Sequence, residues 1–344
     1  MQNSVYYPDL VGNLDLKKRL SKDVGEGFLS HAYILEGPRG TGRHTLALQT
    51  VAALSCEDHG SDGRIPCGKC KSCDKILNGK SPDVITVGLE GEKVTIGVET
   101  VRNLKNDMFT APNDLTVKAY IIEDADRMTA QAQNAFLLSL EEPPSYILFF
   151  LLCENSANLL ETVRSRAPTL RLERIEKDPL AEHLLAHDKR ARSLKEESEE
   201  EWHRLLCVSA GSIGYALELL ETKRRRQVFD YLDFARDTVT MLAGSAKGKA
   251  LSAIAGFGNK RPEVIRQLSY IQYALRDLIL LKKSENAPLC FFEDRDRANE
   301  LSTRFTSSAL FALYDATAVA LDDLERNANV RLTLMNMMQN AELL

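Results

Sequence analysis

The stretch Gly37-Pro38-Arg39-Gly40-Thr41-Gly42-Arg43-His44-Thr45 follows the apolar run 31–36 and precedes a segment typical of a helix. A strand, a glycine-rich turn and a helix in this order form a phosphate-binding loop, whose pattern is G-x-x-x-x-G-K-[ST]. Glycines let the backbone curl so that its N–H groups point at a phosphate, and the start of the helix adds a favourable dipole. The spacing of Gly37, Gly40 and Gly42 therefore predicts an α/β domain built around such a loop.

The side chains that would act on a nucleotide are altered in this loop. Arg43 stands at the lysine position, and its larger, forked guanidinium is not equivalent to an ammonium group at a tight site. His44 replaces the hydroxyl residue that would bind Mg²⁺, and Thr45 comes one position too late. The candidate nucleotide site is therefore degenerate, and hydrolysis of ATP is not expected from it. Static binding of a phosphate or ADP by the backbone stays open. The candidate binding residues are Gly37, Gly40, Gly42, Arg43, His44 and Thr45.

Three further apolar runs continue the pattern, at 83–87, 118–123 and 146–153. The last run is nearly all apolar, as expected for a central strand that is covered on both faces. The segment 129–142 is predicted to be a helix, with Thr129 as its N-cap and prolines that end it. This alternation predicts a mostly parallel sheet with flanking helices.

The predicted strand at 118–122 is followed by the acidic segment Glu123-Asp124-Ala125-Asp126. Phosphate-loop ATPases usually place Asp and then Glu here, for magnesium binding and water activation. The order is inverted in this chain. Two interpretations remain open: a modified magnesium site, or acids that only cap the next helix and interact with its dipole.

Four of the seven cysteines lie within 56–73, with the spacing C-x10-C-x2-C-x2-C. Four thiolates at such spacing predict a closed, structural zinc site with no open position for catalysis. Free thiols, a redox pair or an iron–sulfur cluster are the alternatives. The predicted zinc ligands are Cys56, Cys67, Cys70 and Cys73, and the other cysteines, Cys153, Cys207 and Cys290, are predicted to be small core residues.

Composition limits the class of protein. The chain has 344 residues, 44% hydrophobic and 27% charged, which excludes global disorder and fibrous repeats. A net charge of −5 argues against a nucleic-acid-binding polyelectrolyte as a whole. The first residues show neither a basic region nor an apolar core of a signal peptide, which argues against secretion and for the cytoplasm.

The motifs together resemble the bacterial clamp-loader subunits of the AAA+ superfamily, most specifically the delta-prime type of DNA polymerase III. The resemblance is dense over residues 8–172 and looser beyond. It rests on the four-cysteine insert and on His31-Ala32-Tyr33, Ala125-Asp126-Arg127-Met128-Thr129, Gln133-Asn134-Ala135, Leu140-Glu141-Glu142-Pro143-Pro144 and Thr162-Val163-Arg164-Ser165-Arg166.

This resemblance implies three domains. An AAA+ nucleotide-binding-like module with the zinc insert 56–73 would cover 1–174, and a small helical lid would cover 175–222. An all-α collar domain that mediates oligomerisation would cover 223–344. Breaks in the sequence pattern near 174 and 222 agree with this division, because the strand signal disappears after residue 172 and the remainder has helical periodicity.

The resemblance also implies a role for Arg166. In this family the arginine of the Ser-Arg motif is an arginine finger that reaches the ATP site of the neighbouring subunit. Arg164 is the alternative candidate. Two positions depart from the family pattern: Ala167 replaces a cysteine, and Gly214 replaces the lid arginine of a Gly-Ser-x-Arg segment. Together with the altered phosphate loop, these departures imply a stator subunit without ATPase activity of its own.

The implied function is loading of the sliding clamp onto primed DNA, as part of a hetero-pentamer with gamma/tau and delta subunits in the DNA polymerase III holoenzyme, with no membrane partner. Two alternatives stay open. One is an active, gamma/tau-like ATPase that uses Arg43 in place of lysine. The other is a zinc-dependent nucleic-acid-binding protein, because Lys69, Lys71 and Lys75 surround the cysteines.

Overall fold

The computed structural model describes residues 7–8, 10–58, 65–89, 91, 94–243, 247–287 and 289–341. The chain divides into two compact units. The first contains 1–186 and 211–215, and the second contains 187–210 and 216–344. The division into three domains at 174 and 222 stays a prediction.

The first unit contains a five-stranded sheet in which every neighbouring pair is parallel. The strands are β1 (Ala32–Glu36), β2 (Val84–Val87), β3 (Lys118–Ile122), β4 (Ile147–Cys153) and β5 (Thr169–Arg171), in the order β2-β3-β4-β1-β5. Four of these strands lie where the apolar runs predict them, and β4 is buried along its whole length. The edge strand β5 was not predicted, because it has only three residues and one of them is exposed.

Helices cover both faces of this sheet. The helices of this unit are α1 (Leu14–Glu26), α2 (Arg43–Leu54), α3 (Lys71–Leu77), α4 (Val98–Asp107), α5 (Ala130–Glu141), α6 (Glu161–Arg164) and α7 (Lys177–His187). Successive strand residues point to opposite faces. Tyr33 and Leu35 therefore pack with α2 on one face, and Ile34 and Phe149 pack with Phe136 of α5 on the other.

The predicted helix at 129–142 is confirmed together with its cap. The Thr129 hydroxyl oxygen accepts a hydrogen bond from the backbone N–H of Ala132 at 3.2 Å, and the helix ends at Glu141, two residues before Pro143. Such a cap satisfies one of the backbone donors that the first turn of a helix leaves unpaired.

The second unit is helical throughout the part that the structure describes. Its helices are α8 (Lys189–Glu197), α9 (Glu199–Ser209), α10 (Ile213–Leu219, which begins in the first unit), α11 (Thr222–Leu242), α12 (Lys247–Gly256), α13 (Arg261–Lys283), α14 (Arg295–Thr303), α15 (Ser307–Glu325) and α16 (Val330–Asn340). Pro262 lies in the first turn of α13, where its missing N–H removes no helical hydrogen bond. Leu268 and Leu275 on this helix are fully buried, whereas Leu332 and Met335 on α16 are 62% and 48% exposed.

One cysteine prediction is wrong. Cys153 is buried in the sheet as expected, but Cys207 and Cys290 are only partly buried. The Sγ atom of Cys290 lies 2.7 Å from Nη1 of Arg276 and 3.5 Å from Oδ1 of Asp277. Its sequence neighbours are apolar, but α13 brings charged groups against it, so Cys290 is not a core hydrophobic residue.

Asp83 anchors the start of β2 to the segment before β3. Its carboxylate is fully buried and accepts backbone hydrogen bonds from Asn113 at 2.7 Å, Asp114 at 2.7 Å and Leu115 at 3.0 Å. Burial alone would raise the pKa of this carboxyl group, but the hydrogen bonds outweigh it and hold the pKa below its ordinary value.

We expect Asp83→Asn to lower the free energy of unfolding by about 2–4 kcal/mol at neutral pH, because an amide cannot accept all of these bonds. Since the folded-state pKa is depressed, this stabilisation is present above the unfolded pKa of about 4 and is lost as the pH falls through the folded value. Urea titrations at several pH values measure both effects. The control is Asp114→Asn, which removes only the ion pair with Lys75 and should cost less than about 1 kcal/mol. Equal losses in the two variants would contradict the prediction.

Candidate functional sites: the glycine-rich loop, the cysteine cluster and Arg166

The glycine-rich loop connects β1 to α2 and is tightly folded. Gly40 and Gly42 have φ angles of 78° and 95°, which other residues adopt only with strain. The Thr41 hydroxyl donates to the carbonyl of Pro38 at 2.8 Å, and the N–H of Gly37 donates to the carbonyl of Cys153 at 3.1 Å. The predicted backbone geometry, a glycine-dependent turn opening onto a helix, is therefore present.

The segment Gly211-Ser212-Ile213-Gly214 lies directly on this loop, within the same unit. The Ser212 hydroxyl donates to the carbonyl of Arg39 at 3.0 Å, and the N–H of Gly214 donates to the carbonyl of Gly40 at 3.1 Å. A Cβ atom on Gly40 would lie 2.1 Å from Oγ of Ser212, and one on Gly214 would lie 3.1 Å from Cα of Gly40. Any side chain at 214 would therefore be crowded from its first carbon atom.

Arg43 and His44 start α2, followed by Thr45. Arg43 is only 8% exposed, and its Nη1 atom has no hydrogen-bond partner among the described residues. Nδ1 of His44 lies 2.9 Å from Oε1 of Glu123, at the end of β3. The residue at the hydroxyl position therefore pairs with the strand-end acid. Glu123 therefore does more than cap the next helix, because its carboxylate contacts His44.

The four predicted metal ligands come together between α2 and α3. The sulfur atoms of Cys56, Cys67, Cys70 and Cys73 all lie within 4.8 Å of one another. Tetrahedral zinc with sulfur ligands at 2.3 Å requires sulfur–sulfur distances of about 3.8 Å, and Cys67 and Cys73 are 4.0 Å apart. The arrangement can thus hold a tetrahedral ion after a small contraction. His59, which lies in the same insert, is outside the described residues.

Backbone N–H groups surround these sulfur atoms. Cys70 donates to Sγ of Cys67 at 3.2 Å, and Cys73 donates to Sγ of Cys70 at 3.4 Å. Burial raises the pKa of the Cys70 thiol, but hydrogen bonds from the backbone of Cys73 and Glu57 outweigh it and lower the pKa to about 7. Burial raises the pKa of Cys56 and Cys73. Cys70 therefore deprotonates more readily than Cys56 and Cys73, and a bound cation would favour the thiolate form of all four ligands.

Arg166 lies where two sequence motifs meet. Its Nη2 atom is 2.5 Å from Oε1 of Glu141, the last residue of α5, and its Nη1 donates to the carbonyl of Thr162 at 2.9 Å and to Oγ of Ser165 at 3.4 Å. The Arg166 and Glu141 side chains are 35% and 43% exposed. Such an exposed pair contributes about 0–1 kcal/mol to stability, so it holds the guanidinium in place without being needed for the fold.

Arg164 has a different environment. Its side chain is exposed and forms no hydrogen bond or ion pair within the part of the chain that the structure describes. Of the two candidate arginines, Arg166 is therefore the one whose guanidinium has a defined position. The sequence alone indicated Arg166 only through the family motif, and nothing in the sequence pointed to Glu141 as its partner.

Among the described residues, none of the helices combines the length and the apolar character needed to cross a bilayer.

Residues 12–176 match the family model described as "DNA polymerase III, delta subunit". Relatives include the DNA polymerase III subunit tau of Bacillus subtilis, 33% identical over 169 residues (49% of this chain, 29% of that protein). The delta' subunit of the same organism is 32% identical over 202 residues, which are 59% of this chain and 57% of that protein. The delta' subunit of Pseudomonas aeruginosa is 32% identical over 183 residues, which are 53% of each chain. The chain therefore spans less than two thirds of the length of each of these relatives.

Two solved structures are similar over most of the chain. A gamma subunit-related protein of DNA polymerase III from Thermotoga maritima has 17% identity and a TM-score of 0.44, covering 94% of this chain and 98% of that one. The RuvB Holliday junction branch migration motor from the same organism has 15% identity and a TM-score of 0.42, covering 94% and 87%. The predicted α/β module followed by helices is confirmed by the parallel sheet with helices on both faces and by the helical second unit. Its assignment to the AAA+ superfamily stays a prediction.

Proposed function

We propose that this chain is a clamp-loader subunit of DNA polymerase III that does not hydrolyse ATP itself and that supplies Arg166 to the ATP site of a neighbouring subunit. One observation carries this proposal. A guanidinium with a defined position at the surface, Arg166, occurs in a chain whose own phosphate loop is altered at both side chains that would act on ATP.

The environment of the loop supports the absence of hydrolysis. His44 pairs with Glu123, and a histidine in this pair supplies no hydroxyl ligand to Mg²⁺. The segment 211–214 is bonded to the loop carbonyl groups of Arg39 and Gly40, and it carries Gly214 where active relatives of the resembled family carry an arginine. Three groups that would act on the phosphates are thus replaced together, which fits a subunit that is not a motor.

The proposed action of Arg166 follows from charge. During hydrolysis negative charge accumulates on the transferred γ-phosphoryl group, and an arginine supplied from a neighbouring subunit stabilises it. Arginine suits this task because its planar guanidinium presents several N–H groups at fixed angles and stays charged. The neighbours would be gamma/tau subunits, and the hydrolysis they perform would drive opening of the sliding clamp and its closure on primed DNA.

The proposed assembly is a cytoplasmic hetero-pentamer with gamma/tau and delta subunits, in which the helices within residues 223–344 form the collar. Apolar side chains exposed on α16, Leu332 and Met335, support this arrangement, because exposed apolar groups on one helix are suited to a protein contact. The cysteine cluster would hold a structural zinc ion. DNA binding by the cysteine cluster stays a prediction. The ion pair between Lys75 and Asp114 reduces the positive charge that the lysines around the cluster could offer to DNA.

The purified protein alone is expected to hydrolyse ATP at the same background rate as its Arg43→Ala variant. The reason is that the loop lacks both the lysine and the magnesium ligand that a competent site requires. A coupled phosphate-release assay at saturating ATP and Mg²⁺, with an active gamma-type subunit as the positive control, measures this. Turnover that disappears in the Arg43→Ala variant would instead favour the active, gamma/tau-like ATPase.

A further inference from the structure

The segment Leu140-Glu141-Glu142-Pro143-Pro144 has no task in the proposed function, yet it provides the carboxylate that contacts Arg166. Glu141 is the last residue of α5. The C-terminal end of a helix carries a partial negative charge, so a carboxylate at this position is unfavourable for the helix itself. The contact with a cation explains the presence of Glu141 better than helix stability does.

The guanidinium of Arg166 is held from two sides. Glu141 accepts from Nη2, while the carbonyl of Thr162 and the hydroxyl of Ser165 accept from Nη1. Among the described residues, these contacts engage three of the five N–H groups of an arginine and leave two for an acceptor outside the subunit. Because the side chain is about one third exposed, such an acceptor can reach it.

Thr162 and Ser165 lie on the same short segment as Arg166, whereas Glu141 is 25 residues away in the chain. Glu141 is therefore the contact that ties the arginine to the body of the sheet-and-helix unit through α5. Without it, the guanidinium would keep only bonds to its own turn. A catalytic group that is fixed before the reaction loses less conformational freedom in the transition state, and small displacements of such a group reduce rates strongly.

We propose that Glu141 is a positioning residue for Arg166. It orients the guanidinium so that the two remaining N–H groups face outward, toward an anionic phosphate on the neighbouring subunit. Glu141 itself does not touch the nucleotide. This inference rests on the proposed function, in which Arg166 acts on the ATP site of the neighbour.

The test uses the complete complex, reconstituted with wild-type or variant chains, its partner subunits, sliding clamp and primed DNA. In Glu141→Ala, kcat for DNA-stimulated ATP hydrolysis at the site completed by this chain should fall about 10-fold, with KM for ATP nearly unchanged. Glu141→Gln should recover most of the rate, because the amide oxygen still accepts from Nη2. The matched control is Glu142→Ala, which removes the neighbouring exposed carboxylate and should leave kcat unchanged.

A double variant separates positioning from a general structural role. If Glu141 acts through Arg166, then Glu141→Ala has no further effect on kcat in a chain that already carries Arg166→Ala. A multiplied loss in the double variant would overturn the proposal, because Glu141 would then act independently of the arginine. A wild-type rate in Glu141→Ala beside a slow Arg166→Ala would also overturn it while leaving the proposed function intact. An unchanged rate in Arg166→Ala would refute the proposed function itself.

Folding and assembly are checked by circular dichroism and size-exclusion chromatography of each complex. If Glu141→Ala fails to assemble, Glu141→Asp provides the same test, because it keeps the charge but shortens the side chain by one methylene group. The expected result is again a lower kcat with unchanged KM, and a wild-type kcat in Glu141→Asp together with wild-type Glu141→Gln would overturn the proposal.

Discussion

Replacing Arg166 with alanine is expected to slow DNA-stimulated ATP hydrolysis at the neighbouring site by about 1,000-fold, the lower end of the effect of an arginine finger. The guanidinium is the one charged group in the motif that the structure holds in a defined position at the surface, through Glu141 and Thr162. Its removal would leave the developing charge on the γ-phosphoryl group without a compensating cation. Other ATP sites of the complex would keep their own rates. The total rate of ATP hydrolysis would therefore fall by the fraction that this one site contributes.

Single-turnover hydrolysis and clamp-loading assays on the reconstituted complex measure this effect. Arg164→Ala is the matched control, because Arg164 lies two residues away, is exposed and should leave the rate unchanged. Stability should also stay the same, since an exposed ion pair of the Arg166 type contributes at most about 1 kcal/mol. The assignment would be wrong if Arg164→Ala reduced hydrolysis and Arg166→Ala did not.

The second large effect concerns the cysteine cluster. We expect the purified protein to contain about one zinc ion per chain, and Cys73→Ser to contain none, because a structural zinc site needs its full set of ligands. Cys73 is fully buried, so its loss leaves a cavity as well as an incomplete metal site. The unfolding temperature of the first unit should fall, because the free energy of metal binding contributes directly to folding.

Elemental analysis and thermal unfolding, with and without a chelator, test this prediction. The control is Cys207→Ser, a half-buried cysteine of the second unit that should leave the metal content at the wild-type value. Acid should release the metal, because the sulfur ligands must be deprotonated to bind it. A metal-free protein that unfolds at the same temperature in the presence of chelator would contradict the zinc assignment.

Much of the first unit was predictable because its signals are local. Apolar runs identified β1 to β4, and Thr129 and Pro143 marked the ends of α5. The short edge strand β5 was missed because three residues form no recognisable run. Cys290 was assigned to the core because its sequence neighbours are apolar, while the polar groups beside it, Arg276 and Asp277, come from α13.

For the candidate sites, too, local features were predictable from the sequence and long-range contacts were not. The spacing of the four cysteines predicted a cluster, and their sulfur atoms do converge. The departures from the phosphate-loop pattern at Arg43 and His44 were visible in the sequence alone. The contacts that give these residues their environments were not visible, because they join distant parts of the chain: Glu123 reaches His44 across 79 positions, and Ser212 reaches Arg39 across 173.

The sequence by itself determined the glycine-rich turn, the places of β1 to β4 and of α5 along the chain, and the set of candidate ligands. These features depend on backbone conformation and periodicity within short segments. Only the tertiary structure decided that segment 211–214 covers the loop and that Glu141, and not its neighbour Glu142, holds Arg166. Such contacts depend on how separate elements pack and on which way each side chain points, and no local pattern specifies that.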